Sequence, residues 1–145
     1  MRSLHHPAIA SGLLLATMAS PAQAAVIKSA PDGFVSESSA VIGVKPARMW
    51  RALTNWSNWW DKAHSYSGKA EAIHLDPRGG GLLLERWDKN SVQHAVVLSA
   101  VAPSSLRMSG GFGPLQALPV NAILEFSLRG EGFSRLLNYA ATGKP

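Results

Sequence analysis

Residues 82–102 read LLLERWDKNSVQHAVVLSAVA, a pattern typical of two β-strands joined by a tight turn. A two-residue turn at Lys89-Asn90 places Glu85 directly opposite His94. Because side chains alternate across a strand, those two residues then share one face of the hairpin. The sequence therefore predicts a carboxylate and an imidazole in contact with each other.

The predicted face around this pair is otherwise apolar and comprises Leu83, Trp87, Val92, Val96 and Leu98. In such surroundings, burial and mutual charge shift the pKa of both groups. General acid–base catalysis uses groups with shifted pKa values of this kind. A cross-strand pair of this kind can also be purely structural, since it satisfies two half-buried polar groups. Glu85 and His94 are thus candidate catalytic residues, and both interpretations stay open.

Further strands are predicted on both sides of the hairpin. The clearest runs over 122–129, where Ala122, Leu124, Phe126 and Leu128 alternate with polar or smaller positions, as in a half-buried strand. The others are predicted at 34–44, 72–75, 106–110 and 133–142.

Two short helices are predicted between the first strand and the rest. Pro46 suits a first helical turn, and Met49, Trp50 and Leu53 follow at helical spacing. Asn55 can cap a second helix that reaches about residue 62 and carries three tryptophans, Trp56, Trp59 and Trp60.

The resulting order is one strand, two short helices and about six antiparallel strands, which is an α+β fold. An apolar sheet face must be covered, and two short helices leave part of this face uncovered. We expect that face to favour self-association, or a ligand or partner. Its predicted members are Val92, Val96, Leu98, Leu106, Met108, Ala122, Leu124, Phe126, Leu128, Leu137 and Tyr139.

Composition narrows the function classes. The 145 residues include no cysteine, which excludes disulfides, thiolate zinc sites and a cysteine nucleophile. The formal charge is +5, but the basic residues after Arg2 are spread from Lys28 to Lys144 without a cluster. A nucleic-acid-binding surface would concentrate them, so no nucleic acid partner is expected.

The N-terminus has the pattern of a secretory signal peptide. Arg2 precedes an uncharged apolar stretch at 8–19, and Ala22-Gln23-Ala24 fits a signal peptidase site. We expect a signal peptide at 1–24, cleavage after Ala24 and a single domain at 25–145, located in the periplasm or secreted. No apolar run reaches the ~18 residues of a spanning helix, so no stable membrane insertion is expected.

Several short motifs resemble, in their order and spacing, bacterial members of the START/Bet v 1-like (SRPBCC) superfamily. They are Trp59-Trp60 before AHSYSG at 63–68, Gly79-Gly80 before the strand of Glu85, His94 on the next strand, Leu106-Arg107-Met108, and Gly113-Pro114-Leu115-Gln116. Such proteins are often filed with polyketide cyclases and dehydratases, or with homologues of the activator of the Hsp90 ATPase. The resemblance implies a helix-grip fold, in which a curved sheet surrounds a long C-terminal helix and a ligand cavity lies between them. No such helix is predicted here, so the domain is expected to be C-terminally incomplete.

The candidate ligand-binding residues are Trp59, Trp60, His64, Tyr66, Glu85, Trp87 and His94, although aromatic residues at such positions also serve simply as core. His64, His94 and Glu85 lack the short spacing of a metal site, so no metal is expected. The glycine-rich segments are turns rather than phosphate loops, so no cofactor is expected.

The mostly apolar wall favours an exported binding protein, which holds a small hydrophobic or lipid-like ligand against the concave sheet face. The alternative is an enzyme of the cyclase or dehydratase type, in which Glu85 and His94 exchange protons with a bound substrate. A truncated product without activity is a third reading.

Overall fold

The computed structural model describes residues 23–31, 33–130 and 134–143. Most of the predicted signal peptide lies outside them. The regular elements are β1 (Gln23–Ala30), β2 (Gly33–Ile42), α1 (Pro46–Thr54), β3 (Ile73–Leu75), β4 (Leu82–Trp87), β5 (Asn90–Val101), β6 (Ser105–Gly110), β7 (Asn121–Arg129) and β8 (Ser134–Gly143). Short 3₁₀ turns occur at Trp56–Asn58, Lys62–His64, Ala70–Ala72 and Pro114–Ala117.

The strands form one antiparallel sheet in the order β1-β2-β8-β7-β6-β5-β4-β3. Strands β3 to β8 are a meander, as predicted, and β8 then pairs with β2. The sequence did not predict β1, since the first predicted strand begins at residue 34. The fold is therefore α+β, built on an antiparallel sheet. Within the described residues α1 is the one α-helix, and no helix in that part of the chain is long and apolar enough to cross a membrane.

The predicted second helix is wrong. Asn55 makes no side-chain cap, and the chain instead forms the separate 3₁₀ turns at Trp56–Asn58 and Lys62–His64. This run is rich in Asn, Ser, Asp and Trp, which favour an α-helix less than Ala or Leu does. The first turn nevertheless buries Trp56 against the sheet, where its ring lies 6.2 Å from that of Phe126.

The inner face of the sheet is covered where the sequence predicted that it would be open. Leu53 of α1 and Trp56 belong to one buried cluster with sheet residues that include Leu106, Met108 and Phe126. Five residues expected to be uncovered are at most 5% exposed, namely Leu106, Met108, Ala122, Phe126 and Leu128. The uncovered-face prediction is wrong for these five, so they give no support to self-association.

One further residue of that predicted face lies elsewhere. Leu98 is 49% exposed because β5 is irregular between Val97 and Ser99. The main chains of Leu137 and Tyr139 pair with Ser127 and Glu125.

Candidate functional site

The β4–β5 hairpin turns one residue earlier than predicted. Asp88-Lys89, with Asp88 at a φ of 49°, forms the turn, and Trp87 pairs with Asn90. Glu85 is therefore opposite Val92, and the predicted direct pairing of Glu85 with His94 is wrong. Moving a two-residue turn by one position shifts each partner by two residues, so each side chain keeps its face.

A β-bulge in β5 follows at His94. Leu84 pairs with Gln93 but Leu83 pairs with Ala95, so β5 carries one more residue than β4 at this point. His94 and Ala95 are consequently both buried, at 0% and 1% exposure. Beyond the bulge the alternation is inverted. Val97 is buried, and the prediction that Val96 faces inward is wrong because Val96 pairs with Leu82.

Glu85 and His94 are nevertheless in contact. His94 Nε2 and Glu85 Oε2 are 2.8 Å apart, and both side chains are fully buried. The contact is diagonal across the hairpin, a separation that long side chains span. The predicted contact between the carboxylate and the imidazole is confirmed.

The segment 65–68 crosses over Glu85 and donates to it. Ser67 N–H donates to Oε1 at 2.6 Å, and Tyr66 N–H donates to Oε2 at 3.1 Å. This segment leaves the Lys62–His64 turn, which Asp61 caps by accepting a 2.9 Å hydrogen bond from Ala63 N–H. Glu85 thus anchors the loop to the sheet, and both of its carboxylate oxygens are occupied.

The electrostatics of Glu85 follow from these contacts. Burial raises the pKa of the Glu85 carboxyl, but hydrogen bonds from Ser67, His94 and Tyr66 outweigh burial and hold the pKa below its usual value. Glu85 is therefore ionised at neutral pH and only accepts hydrogen bonds. The proton in the contact with His94 accordingly belongs to Nε2.

The other ring nitrogen of His94 has a different environment. Nδ1 is buried and has no hydrogen-bond partner among the described residues. The rings of Trp60 and Tyr66 lie 6.0 and 5.9 Å from the imidazole. The main chain of His94 is held by Phe112, whose N–H donates to its carbonyl oxygen at 3.1 Å.

An open cleft of about 270 Å³ lies near His94. Its lining residues are Ala63, His64, Ser65, Tyr66, Gly113 and Ala117. Its two walls are the segments 63–66 and 113–117. Tyr66 links them, because its hydroxyl lies 3.5 Å from the Gly113 carbonyl oxygen and 3.4 Å from Gln116 Oε1. Gln116 in turn donates to the Gln93 carbonyl oxygen at 2.6 Å, which fixes the second wall to β5.

Two of the seven candidate ligand-binding residues, His64 and Tyr66, line the cleft. Trp60, Glu85 and His94 do not line it but contact these residues or one another. Trp59 stands at the edge, 45% exposed, with its ring 4.3 Å from that of Trp56 and its Nε1 donating to the Leu53 carbonyl oxygen. Trp87 is not brought to the site. It pairs with Asn90 beside the turn and belongs neither to the buried cluster nor to the cleft lining.

Sequence reasoning missed the part played by Ser65, Ser67 and Gly113. Ser67 acts on Glu85 through its main chain, for which a side-chain pattern gives no signal. Ser65 lines the cleft and has a buried Oγ without a hydrogen-bond partner among the described residues. Gly113 adopts φ 85° and ψ −88°, a conformation that L side chains rarely take.

The described residues contain no group of three or more His, Cys, Asp or Glu side chains arranged to hold a metal ion. The oxygens of Glu85 are already engaged by two main-chain N–H groups and by His94.

Comparison with known proteins identifies the fold and no family. No family model and no curated protein matches the chain. Solved structures do match, among them a conserved protein of unknown function from Enterococcus faecalis (TM-score 0.57, 10% identity, 85% of this chain and 62% of that one). CalU16 from Micromonospora echinospora matches with a TM-score of 0.52 and 17% identity over 86% of this chain and 69% of that one. A protein from Rhizobium loti matches with a TM-score of 0.54 and 15% identity over 76% and 78%. The chain thus spans less than two thirds of the Enterococcus protein, and the likeness extends to an α+β fold on a curved antiparallel sheet.

Proposed function

We propose that the chain is an exported binding protein for a small hydrophobic ligand, on a helix-grip fold of the SRPBCC type. The ligand position we propose is the cleft between His64 and Gly113, at one end of the inner sheet face. Leu53 and Trp56 pack on that face with Leu106, Met108 and Phe126, whereas the cleft is open.

The observation that carries this proposal is the composition of the cleft wall. Alanine, glycine and aromatic groups supply apolar surface, and a fully buried imidazole lies behind it with one nitrogen unpartnered among the described residues. Ligand sites typically combine an apolar lining with a few placed polar groups. A volume of about 270 Å³ suits a small molecule of one or two rings.

Two measurements test binding. Native mass spectrometry of protein recovered from the exported fraction should reveal a small co-purifying molecule. Calorimetric titration with naphthalene derivatives should give saturable binding that Ala117→Trp weakens at least about tenfold by filling the cleft. Ala52→Trp is the matched control, because Ala52 is also exposed and does not line the cleft. Equal binding by both variants would place the ligand elsewhere.

A second candidate is the cyclase or dehydratase activity, favoured by the buried 2.8 Å contact between Glu85 and His94. Both carboxylate oxygens of Glu85 are engaged, so His94 Nδ1 is the atom that would exchange a proton with a substrate. Chemical change of the co-purifying molecule by the wild-type chain, lost in Glu85→Gln while binding is retained, would favour the enzyme. An unchanged molecule in both proteins would favour the binding protein.

A further inference from the structure

A second open cavity lies beside α1, away from the candidate ligand cleft. Its volume is about 510 Å³, and the two cavities share no lining residue. One wall is the segment 43–45, which follows β2, and the other wall belongs to α1. The lining residues are Gly43, Val44, Lys45, Ala47, Arg48 and Arg51.

The cavity has a cationic lining. Lys45, Arg48 and Arg51 carry positive charges, and none of the lining residues that the structure describes is acidic. All three cationic residues are exposed, so their charged groups are accessible to a solute in the cavity. No two basic residues are adjacent in this part of the sequence, which is why the sequence alone indicated no cluster. The fold brings the three around one space, because residues three apart occupy neighbouring positions on a helix face.

These three cations have no anionic partner in the part of the chain that the structure describes. The ion pairs formed there join other residues, namely Arg78 with Asp76, Arg107 with Glu125, and His94 with Glu85. The first turn of α1 contains no acidic residue either. Like charges at this spacing repel each other. A bound anion would therefore relieve a repulsion that none of the described side chains compensates.

The kinds of cation narrow the class of anion. Arginine presents a planar fork of N–H donors that matches the oxygens of a phosphate or carboxylate, and lysine adds a point charge. Because attraction grows with the product of the charges, three cations around one space favour a doubly charged group over a singly charged one. A phosphomonoester carries nearly two negative charges at neutral pH and has three strong acceptor oxygens. The volume also leaves room for a small body attached to that group.

We propose that this cavity binds a phosphomonoester group, held by Lys45, Arg48 and Arg51. The proposal goes beyond the hydrophobic-ligand function, and either can fail without the other because the two cavities do not overlap. The same chemical group occurs on small soluble molecules and on lipid headgroups. The experiments therefore include a probe for each source.

The first experiment titrates the chain with glycerol 3-phosphate at neutral pH and constant ionic strength, and acetate is the singly charged comparison. The amide resonances of Gly43, Val44 and Ala47, which line the cavity, report binding. Glycerol 3-phosphate should saturate these shifts with a dissociation constant at least about tenfold below that of acetate, the value of one charge-assisted hydrogen bond. No saturation, or equal affinity for acetate, would overturn the proposal.

A pair of double variants tests the named side chains. Arg48→Gln/Arg51→Gln should weaken the binding of glycerol 3-phosphate at least about tenfold. Arg86→Gln/Lys89→Gln is the matched control, because both residues are exposed, have no ion pair with a described residue and do not line the cavity. Each double variant removes two positive charges, so equal weakening in both would mean a general charge effect and would contradict the proposal. Circular dichroism checks folding, and if the first variant does not fold, the wild-type comparison with acetate decides.

Co-sedimentation with vesicles distinguishes the two sources of the group. Phosphatidylcholine vesicles are prepared with and without phosphatidic acid, whose headgroup is a phosphomonoester. Co-sedimentation that requires phosphatidic acid, and that only Arg48→Gln/Arg51→Gln abolishes, would support a lipid source. Binding of glycerol 3-phosphate without co-sedimentation would support a soluble source. Co-sedimentation that both double variants lose equally would contradict recognition by this cavity.

Discussion

His94 Nε2 donates a 2.8 Å hydrogen bond to Glu85 Oε2, although the main chain of Glu85 pairs with Val92. The two side chains meet diagonally, where His94 and Ala95 together face Leu83. Glu85 is thereby tied to β5 through a side chain and to the segment 65–68 through two main-chain donors. One carboxylate connects the sheet, the loop and the candidate ligand site.

Replacing Glu85 by Gln should destabilise the fold by about 1.5–3 kcal/mol, because an amide offers one acceptor oxygen where three donors converge. Urea unfolding measures the loss. Glu125→Gln is the matched control, since Glu125 is partly exposed and its contact with Arg107 is 3.4 Å. The control should lose less than about 1 kcal/mol. Similar losses in both variants would mean that Glu85 does not anchor the loop.

Stability should fall at acidic pH through Glu85. Since the pKa of Glu85 is lower in the folded state, the unfolded chain binds more protons as the pH drops. This contribution is present above the ordinary glutamate value of 4.5 and is lost as the pH falls through the lower, folded-state pKa. Unfolding free energies from pH 7 to pH 3 should therefore converge for wild type and Glu85→Gln. A constant difference over that range would contradict the assignment.

Gly110 should not tolerate a side chain. A Cβ there would overlap the carbonyl oxygen of His94 and approach the Ala95 Cα to 2.6 Å, so Gly110→Ala must displace the bulge. We expect a loss of about 1–3 kcal/mol in thermal or urea unfolding. Gly79→Ala serves as the control, because a Cβ at Gly79 meets nothing within 4 Å and its effect should stay within about 0.5 kcal/mol.

Truncation of Leu106 tests the covered inner face. Leu106 is fully buried beneath the α1 side of the sheet, and Leu106→Ala should cost about 2–5 kcal/mol. Leu98→Ala should cost less than about 1 kcal/mol, since Leu98 is 49% exposed. If the two truncations cost the same, Leu106 is not packed as described.

Export is tested at the N-terminus. Protein recovered outside the cytoplasm should begin at Ala25, and an N-terminus at Met1 or Arg2 would contradict the predicted cleavage. Strand β1 begins at Gln23, which pairs with Ser39. Cleavage after Ala24 would thus leave residues 25–30 of this edge strand.

The sequence predicted the strand faces well wherever alternation was regular. Leu106, Met108, Phe126 and Leu128 all lie buried, because alternate residues of a regular strand share one face wherever the strand begins or ends. Residues beyond the bulge, such as Val96, were misassigned, since an inserted ladder residue carries no compositional signal.

The candidate site was only partly predictable, because some of its contacts come from the main chain. From side-chain alternation and a tight turn, the sequence correctly predicted that Glu85 and His94 share a face, although it gave His94 instead of Val92 as the residue opposite Glu85. The donors of Tyr66 and Ser67 are main-chain N–H groups, which any residue can supply. Strand β1 was missed because its sequence, QAAVIKSA, overlaps the predicted signal peptidase site.

Because of the bulge, one residue of β5 decides whether the hairpin contributes an imidazole to the candidate site. At the bulge, His94 and Ala95 both lie opposite Leu83, which is one residue more than a regular ladder has. Deleting either of them would leave the pairing of Leu82 with Val96 unchanged. Deletion of Ala95 would keep the imidazole and deletion of His94 would discard it, each giving a regular hairpin. The hairpin can therefore gain or lose the imidazole by a single-codon insertion or deletion while its strand order is preserved.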